Sequence, residues 1–258
     1  MILPASYDNG FAPRDGSPLY PELWRGCVGA WNFGLGPSGL TLRDWSGFGN
    51  HGTLMSGTVV SPAFGRYSAV FDGIDDIVNL GASRISGSGP RSVTVHGRFN
   101  TIASGGVNRI IYSSGNVGSV GRQFEFGQSG ISGNWYFQGY SANFTTSVLG
   151  DTLPHAHTLT YDGSIVRWYL DGAIMHASGS LSLNTDGSIH AIGYDVLFSG
   201  SYLNGSVGSL VIHDRVLSSN EIRLLALRPG IAYELAPRRR SSSGVAFNRR
   251  RRLLLGAS

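Results

Sequence analysis

The fold is decided by residues 156–177, AHTLTYDGSIVRWYLDGAIMHA. This stretch holds three short segments whose residues alternate in the two-residue period of half-buried β-strands: His157–Tyr161, Ile165–Leu170 and Ala173–His176. Asp162-Gly163 and Asp171-Gly172 lie between the segments, and Asp-Gly readily adopts the positive φ angles of tight hairpin turns. The stretch therefore predicts a three-stranded antiparallel meander.

Composition agrees with an all-β domain. The chain has 258 residues, 38 of them glycine, and only 14% are charged, which suits many short strands joined by turns. A hydrophobic content of 41% excludes wholesale disorder. Cys27 is the single cysteine, so the chain has no internal disulfide. No apolar run reaches the length of a membrane span.

Four stretches, taken in order, resemble the laminin-G-like (concanavalin A-like) jelly-roll family over roughly residues 26–227. They are Ala30–Leu54, Ala69–Leu80, Ala156–Ala177 and Gly205–Leu225. The resemblance implies an all-β, antiparallel β-sandwich jelly roll with one short C-terminal helix, which Ser218 and Glu221 begin with capping-box spacing. Because this fold serves lectins, adhesion modules, glycosidases and spacers, it does not by itself decide the function.

Three regions follow from this resemblance and from composition. Residues 26–235 form the sandwich, residues 1–25 a proline- and aromatic-rich arm, and residues 236–258 an arginine-rich tail. Further strands of the sandwich are expected at Ser92–Phe99, Asn108–Ser113, Gln123–Gly127 and Trp135–Tyr140. The arm is expected to pack on its own sandwich or to reach a neighbouring subunit.

A calcium site is one expectation from the resemblance. Residues 43–52, RDWSGFGNHG, resemble a family loop that supplies oxygen ligands to Ca²⁺, which takes six to eight of them. Asp44 and Asn50 are the candidate ligands. The alternative is that Asp44 only caps local amides and fixes the loop. Gly208 and Ser209 stand where the family usually has acids, which weakens the ligand set.

Asp72, Asp75 and Asp76 place three carboxylates within five residues. A cation is one possible use of them. In the resembling family this stretch is mainly a hairpin signature, so turn chemistry is the favoured role.

Aromatic side chains predict a carbohydrate contact, because aromatic faces stack on sugar rings. The best local set lies at residues 135–140, WYFQGY. Trp135 and Phe137 share one strand face and are assigned to the core, which leaves Tyr136 and Tyr140 as the candidate sugar-binding residues.

The charge is uneven along the chain. All 20 basic residues are arginine, and residues 1–237 carry 13 of them against 16 acids, a net charge of −3. The other seven lie in the tail: Arg238, Arg239, Arg240, Arg249, Arg250, Arg251 and Arg252. These arginines predict contact with an anion, either nucleic-acid phosphate or an acidic neighbour, with a solvated tail as the alternative.

The sequence argues against an enzyme. A glycosidase on this fold needs two carboxylates placed across the scissile bond. None of the four glutamates (Glu22, Glu125, Glu221 and Glu234) has a carboxylate two or four residues further on. No zinc or phosphate-binding motif stands at a suitable position.

The favoured function is therefore a non-catalytic structural or surface component of a larger assembly, a phage or virus particle, that displays a glycan-binding jelly roll. The expected partners are other subunits, as a homo-oligomer or particle shell, and surface glycans. The N-terminus lacks a basic start and an apolar core, so we expect synthesis in the cytoplasm without a signal peptide and a final location on a virion or extracellular surface. The alternative is a free carbohydrate-binding lectin or adhesion module.

Overall fold

The computed structural model describes residues 18–63, 66–116, 118–195 and 200–234. In these residues two antiparallel sheets pack face to face as a sandwich. One α-helix, α1 at Ser219–Ala226, follows the last strand. Three short 3-10 helices lie at Pro21–Trp24, Phe33–Leu35 and Ile231–Tyr233.

The first sheet contains the predicted meander at one edge. Its strands are β1 (Cys27–Asn32), β4 (Val59–Ala63), β5 (Arg66–Asp72), β7 (Arg91–Phe99), β12 (His155–Tyr161), β13 (Val166–Leu170), β14 (Ala173–Ala177) and β16 (Asn204–His213). Their order is β14-β13-β12-β7-β16-β5-β4, and β1 also pairs with β16. The long strand β16 thus joins β7 on one side to β5 and β1 on the other.

The second sheet carries the loops of interest. Its strands are β2 (Thr41–Leu42), β3 (Gly52–Met55), β6 (Ile77–Asn79), β8 (Arg109–Gly115), β9 (Gln123–Gln128), β10 (Asn134–Gln138), β11 (Phe144–Leu149) and β15 (His190–Ile192). Their order is β11-β10-β9-β8-β15-β6-β3-β2.

Aromatic side chains fill the space between the sheets. Trp168 on β13 lies 5.5 Å from Phe126 and 6.1 Å from Trp135, measured between ring centroids. Phe137 contacts Phe124 edge to face at 5.2 Å. These rings are all buried, as the alternation of β9, β10 and β13 predicts, and the assignment of Trp135 and Phe137 to the core is confirmed.

A second apolar layer covers the outer face of the first sheet. Ile222 and Leu225 of α1 are buried there with Trp24, whose indole Nε1 donates to the Ala232 carbonyl at 2.7 Å. Ser218 accepts from the Glu221 amide while the Glu221 carboxylate accepts from the Ser218 amide, so the predicted capping box is present.

The two turns of the meander differ from each other. Leu170 pairs with Ala173, and Asp171 (φ 49°) and Gly172 (φ 82°) form the expected two-residue turn. The first turn is longer than predicted, because Tyr161 pairs with Val166 and leaves four residues between the strands. The Asp162 carboxylate stabilises this wider loop by accepting from two amides further along it, at 2.9 and 2.8 Å.

Strand β10 ends earlier than predicted. Tyr140 and Ser141 have φ angles of 50° and 59°, which are incompatible with an extended strand. The Asn143 carboxamide accepts from the Gly139 amide and closes a loop instead. Tyr140 therefore lies on a loop, whereas Tyr136 remains in the sheet.

Candidate functional site

Three loops meet at one end of the second sheet. The loop between β8 and β9 contacts the loop after β10, because the Gly121 amide donates to the Gly139 carbonyl at 2.7 Å. It also contacts the segment before β15, since the Asn184 amide donates to the Gly121 carbonyl at 2.9 Å. Backbone hydrogen bonds therefore hold all three loops in one arrangement.

These loops enclose a cleft of about 440 Å³, here called the loop cleft. Its lining is Ser119, Val120, Arg122, Asn184, Thr185, Asp186 and Gly187. The Arg122 guanidinium forms an ion pair with Asp186, and the Asp186 carboxylate also accepts from the Ser188 amide at 2.7 Å. Charged donors and acceptors thus stand in the wall in fixed positions.

Buried Arg91 stabilises the wall of the loop cleft from the side that faces the core. Arg91 donates to the Thr185 hydroxyl at 2.7 Å and to the Gly87 carbonyl at 2.5 Å. Its guanidinium lies 5.3 Å from the Tyr161 ring centroid. Burial lowers the pKa of Arg91 to about 10, so it still carries its charge at neutral pH. A buried, charged side chain therefore fixes the position of Thr185 in the wall of the loop cleft.

The two candidate tyrosines lie in different places. The Tyr140 carbonyl accepts from the Gly121 amide at 3.1 Å, so this half-buried residue stands on a loop bordering the loop cleft. Tyr136 instead donates its hydroxyl to Gln138 Oε1 at 2.5 Å on the outer face of β10. Burial first, and then the nearby carboxyl groups of Glu125 and Asp195, raise the pKa of Tyr136.

Tyr136 belongs to a row of buried polar side chains across the second sheet. Glu125 on β9 pairs with Gln138 on β10 and with Ser113 on β8. Gln138 donates to the Gln123 carboxamide at 2.9 Å, and Gln123 donates to Glu125 Oε2 at 3.4 Å. Both carboxamides are thereby oriented along the row.

Asp195 joins this row from the loop after β15. Its side chain hydrogen-bonds to that of Glu125, and both residues are fully buried. Burial first, and then the charge of Asp195, raise the pKa of Glu125 well above its ordinary value. Two buried carboxyl groups in contact share one proton, because a second charge would be uncompensated.

Sequence reasoning missed this pair, since Asp195 lies 70 residues from Glu125 and no short spacing connects them. Its geometry differs from that of a glycosidase. Retaining enzymes keep their carboxyl groups about 5 Å apart and inverting enzymes further still. Carboxyl groups in hydrogen-bonding contact leave no room for a glycosidic bond between them.

Asp44 and Asn50 are brought together, through a hydrogen bond from the Asn50 amide to Asp44 Oδ2 at 3.0 Å. The buried Asp44 carboxylate also accepts from the Ala30 amide and from the amide and hydroxyl of Ser46, at 2.8–3.0 Å. Four donors fill the acceptor capacity of a carboxylate, an arrangement that favours the capping role. Calcium binding by Asp44 and Asn50 stays a prediction, and it would require these donors to be displaced.

Asp72, Asp75 and Asp76 do form a cluster, with carboxylate oxygens within 4.8 Å of one another. Asp72 accepts from the Ile74 amide at 2.7 Å and Asp76 from the Asp72 amide at 2.9 Å. These are the contacts of a structured turn.

Two histidines of β12 have opposite surroundings. His157 is fully buried between the sheets beside Trp135, and burial lowers its pKa to about 3. His155 lies between Asp171, at 2.6 Å, and Asp151, at 3.0 Å. Burial alone would lower the pKa of His155, but the hydrogen bonds to the two carboxylates outweigh burial and raise it.

The seven tail arginines, from Arg238 to Arg252, lie outside the described residues, as does most of the predicted arm. Within the described ranges, no helix has the length and apolar character needed to cross a membrane.

Solved structures with this fold include parts of an arabinanase, a sialidase and a mosquitocidal protein. Domain 4 of AbnA, a GH43 extracellular arabinanase from Geobacillus stearothermophilus, solved with arabinotriose, has a TM-score of 0.60 at 13% identity, covering 78% of this chain and 98% of that one. Trypanosoma rangeli sialidase in complex with sialic acid has a TM-score of 0.60 at 16% identity, covering 79% of this chain but only 33% of that one. The binding domain of Paraclostridial Mosquitocidal Protein 1 has a TM-score of 0.62 at 11% identity, covering 79% and 52%. At these identities the likeness concerns the fold alone.

The two packed sheets and the loops at their end define a lectin-like jelly roll. A laminin G sequence profile, described as the concanavalin A-like lectin/glucanases superfamily, matches residues 72–223. The chain belongs to this superfamily, and the resemblance seen in the sequence is confirmed. No curated protein sequence gives a match.

Proposed function

We propose that this chain is a non-catalytic carbohydrate-binding module and that the loop cleft holds the sugar. The observation that carries this proposal is the Arg122–Asp186 pair, fixed in the wall of an open polar cleft beside Tyr140. The superfamily and the sugar complexes of two proteins with the same fold support the class of ligand.

The chemistry of the loop cleft suits a polyhydroxyl ligand. Sugar hydroxyls donate and accept together, so they are complementary to a guanidinium beside a carboxylate. Asn184 and Ser119 offer further polar groups at the rim. Tyr140 stands on the adjoining loop, and its ring is the candidate for a contact with the apolar face of a sugar ring.

The test is a glycan array followed by calorimetric titration of the best hit, with arabinotriose and a sialylated trisaccharide as defined probes. Arg122→Met and Asp186→Asn should each weaken binding at least about tenfold, the effect of losing a charge-assisted hydrogen bond. Arg167→Met is the matched control, because it removes the guanidinium of another Arg–Asp ion pair, with Asp162, that does not line the loop cleft. Undiminished binding in both cleft variants would show that the sugar binds outside the loop cleft.

The same titrations test the calcium prediction. Asp44 and Asn50 are involved if EDTA removes sugar binding and added Ca²⁺ restores it. If EDTA does not change the affinity for sugar, the capping role of Asp44 is favoured over calcium binding.

The absence of catalysis is part of the proposal. It is supported by the direct contact of Glu125 with Asp195, which is too close for a glycosidase pair. Release of product from a labelled oligosaccharide that binds the protein would contradict it.

We further propose that the module is a structural component of a larger assembly, such as a phage or virus particle, displayed on its surface. The support is the contrast between a mildly acidic body and a tail that carries seven arginines. Light scattering of the full chain and of a chain ending at Pro237, at low and high salt, tests this. A defined oligomer or a nucleic-acid complex formed only by the full chain supports the assembly role, whereas equal behaviour of the two chains supports a free lectin.

A further inference from the structure

An apolar groove lies at the edge of the sandwich formed by β2 and β3 of one sheet and β4 and β5 of the other. It has a volume of about 590 Å³ and is lined by residues of the segment 34–40, by Thr58 and by residues of β3, β4 and β5. Three of its side chains are strongly exposed: Leu40 by 65%, Val59 by 56% and Tyr67 by 55%. The groove is open because β2 and β4 are the edge strands of their sheets.

An exposed apolar surface beside an open edge strand promotes pairing with another chain segment. Natural proteins usually cover such an edge strand or place charged residues on it. Val59 of β4 instead presents an exposed apolar side chain to the groove, whereas the neighbouring Val60 packs against the core between the sheets. We therefore expect another chain segment to pack against this surface.

Carboxylates stand at one end of the groove. Thr58, which lines it, hydrogen-bonds to the Asp76 side chain. Asp76 clusters with Asp72 and Asp75, both of which are exposed. None of the ion pairs within the described parts of the chain includes these three acids. A matching ligand would present cationic side chains next to apolar ones.

The chain contains such a segment outside the described residues. Residues 249–255 read RRRRLLL, four arginines followed directly by three leucines. We propose that this segment docks on its own chain, with the leucines in the groove and the arginines over Asp72, Asp75 and Asp76. The inference is independent of sugar binding, and it leaves Arg238–Arg240 available for an assembly partner.

The reach of the tail supports docking within one chain. The described body ends at Glu234, next to Tyr233 in the apolar layer against which Leu35 of the groove also packs. Residues 235–248 could span up to about 50 Å when extended, more than the distance across the body. A linker of this length gives an effective concentration in the millimolar range, far above that of a second copy in dilute solution.

Disulfide trapping in the full chain tests the proposal. Val59→Cys combined with Leu254→Cys should form an intramolecular disulfide at least about tenfold faster than a control pair, Ile174→Cys with Leu254→Cys. Ile174 is a matched control because it is 58% exposed on β14, the opposite edge of the same sheet. Native Cys27 is buried and is retained in all variants. Equal rates for the two pairs would overturn the proposal.

Mixing and charge variants complete the test. Chains carrying Val59→Cys alone, mixed with chains carrying Leu254→Cys alone, should give no covalent dimer at micromolar concentration. A covalent dimer would assign the groove to a second copy and overturn docking within the chain. Replacing Arg249–Arg252 by serine should slow trapping several-fold at low salt, while the same change at Arg238–Arg240 should not; equal effects would refute the pairing with the three carboxylates.

Discussion

Replacing Glu125 by glutamine should stabilise the protein at neutral pH, by an amount that grows as the pH rises. Glu125 is fully buried beside Asp195, and its pKa in the folded state lies well above the ordinary value of 4.5. Between these two pKa values the folded protein holds a proton that the unfolded chain has lost. Each added pH unit therefore lowers the free energy of unfolding by about 1.4 kcal/mol. Glutamine keeps the shape and the hydrogen-bonding capacity but does not titrate.

The assay is urea unfolding of both proteins at pH 5.5, 6.5 and 7.5. The stability difference in favour of Glu125→Gln should widen as the pH rises, because the wild-type protein must keep a proton that its unfolded chain has lost. Glu22→Gln serves as the control, because Glu22 lies on the surface 3-10 helix, and its difference from the wild type should stay constant. A constant difference for Glu125→Gln as well would mean that Glu125 is ionised in the folded protein, and the proton-sharing argument would be wrong.

Three further predictions concern stability and use urea unfolding. Between pH 7.5 and pH 5, the free energy of unfolding of His157→Phe should rise by about 2 kcal/mol relative to that of the wild type. The reason is that the folded protein keeps His157 neutral (pKa about 3), whereas in the unfolded chain this histidine is protonated below pH 6.5. A pH-independent difference would contradict this. Asp44→Asn should cost about 3 kcal/mol, since an amide cannot accept from four donors, and a loss below about 1 kcal/mol would show that the loop is held otherwise. Ser218→Ala should cost about 1 kcal/mol and Ser219→Ala almost nothing; equal costs would remove the capping box as the cause.

Local patterns predicted most of the fold. The Asp171-Gly172 turn, the Ser218–Glu221 capping box and the inward face of Trp135 and Phe137 all depend on residues close together in sequence, and all three are present. The Asp162-Gly163 turn was predicted too short, because the type of turn depends on which residues pair across it. Asp162 makes side-chain hydrogen bonds that stabilise a four-residue loop equally well.

The candidate site was less predictable, since its parts come from distant loops. The aromatic ring of Tyr140 is its only signal in the sequence, and nothing near it indicates that Arg122 and Asp186 pair beside it. The contact of Glu125 with Asp195 likewise depends on the strand order β9-β8-β15. No short spacing in the sequence connects these two carboxylates.

Strand β16 has a consequence for how the chain is made. It lies between β5 and β7, so the two halves of the first sheet are joined to each other only through this strand. β7 ends at Phe99 and β16 begins at Asn204, so more than 100 residues are synthesised between them. At 5–20 residues per second, β5 and β7 wait roughly 5–20 s before β16 can pair with them. During that interval they are open to aggregation, and we expect the yield of folded protein to depend on chaperones that bind the growing chain.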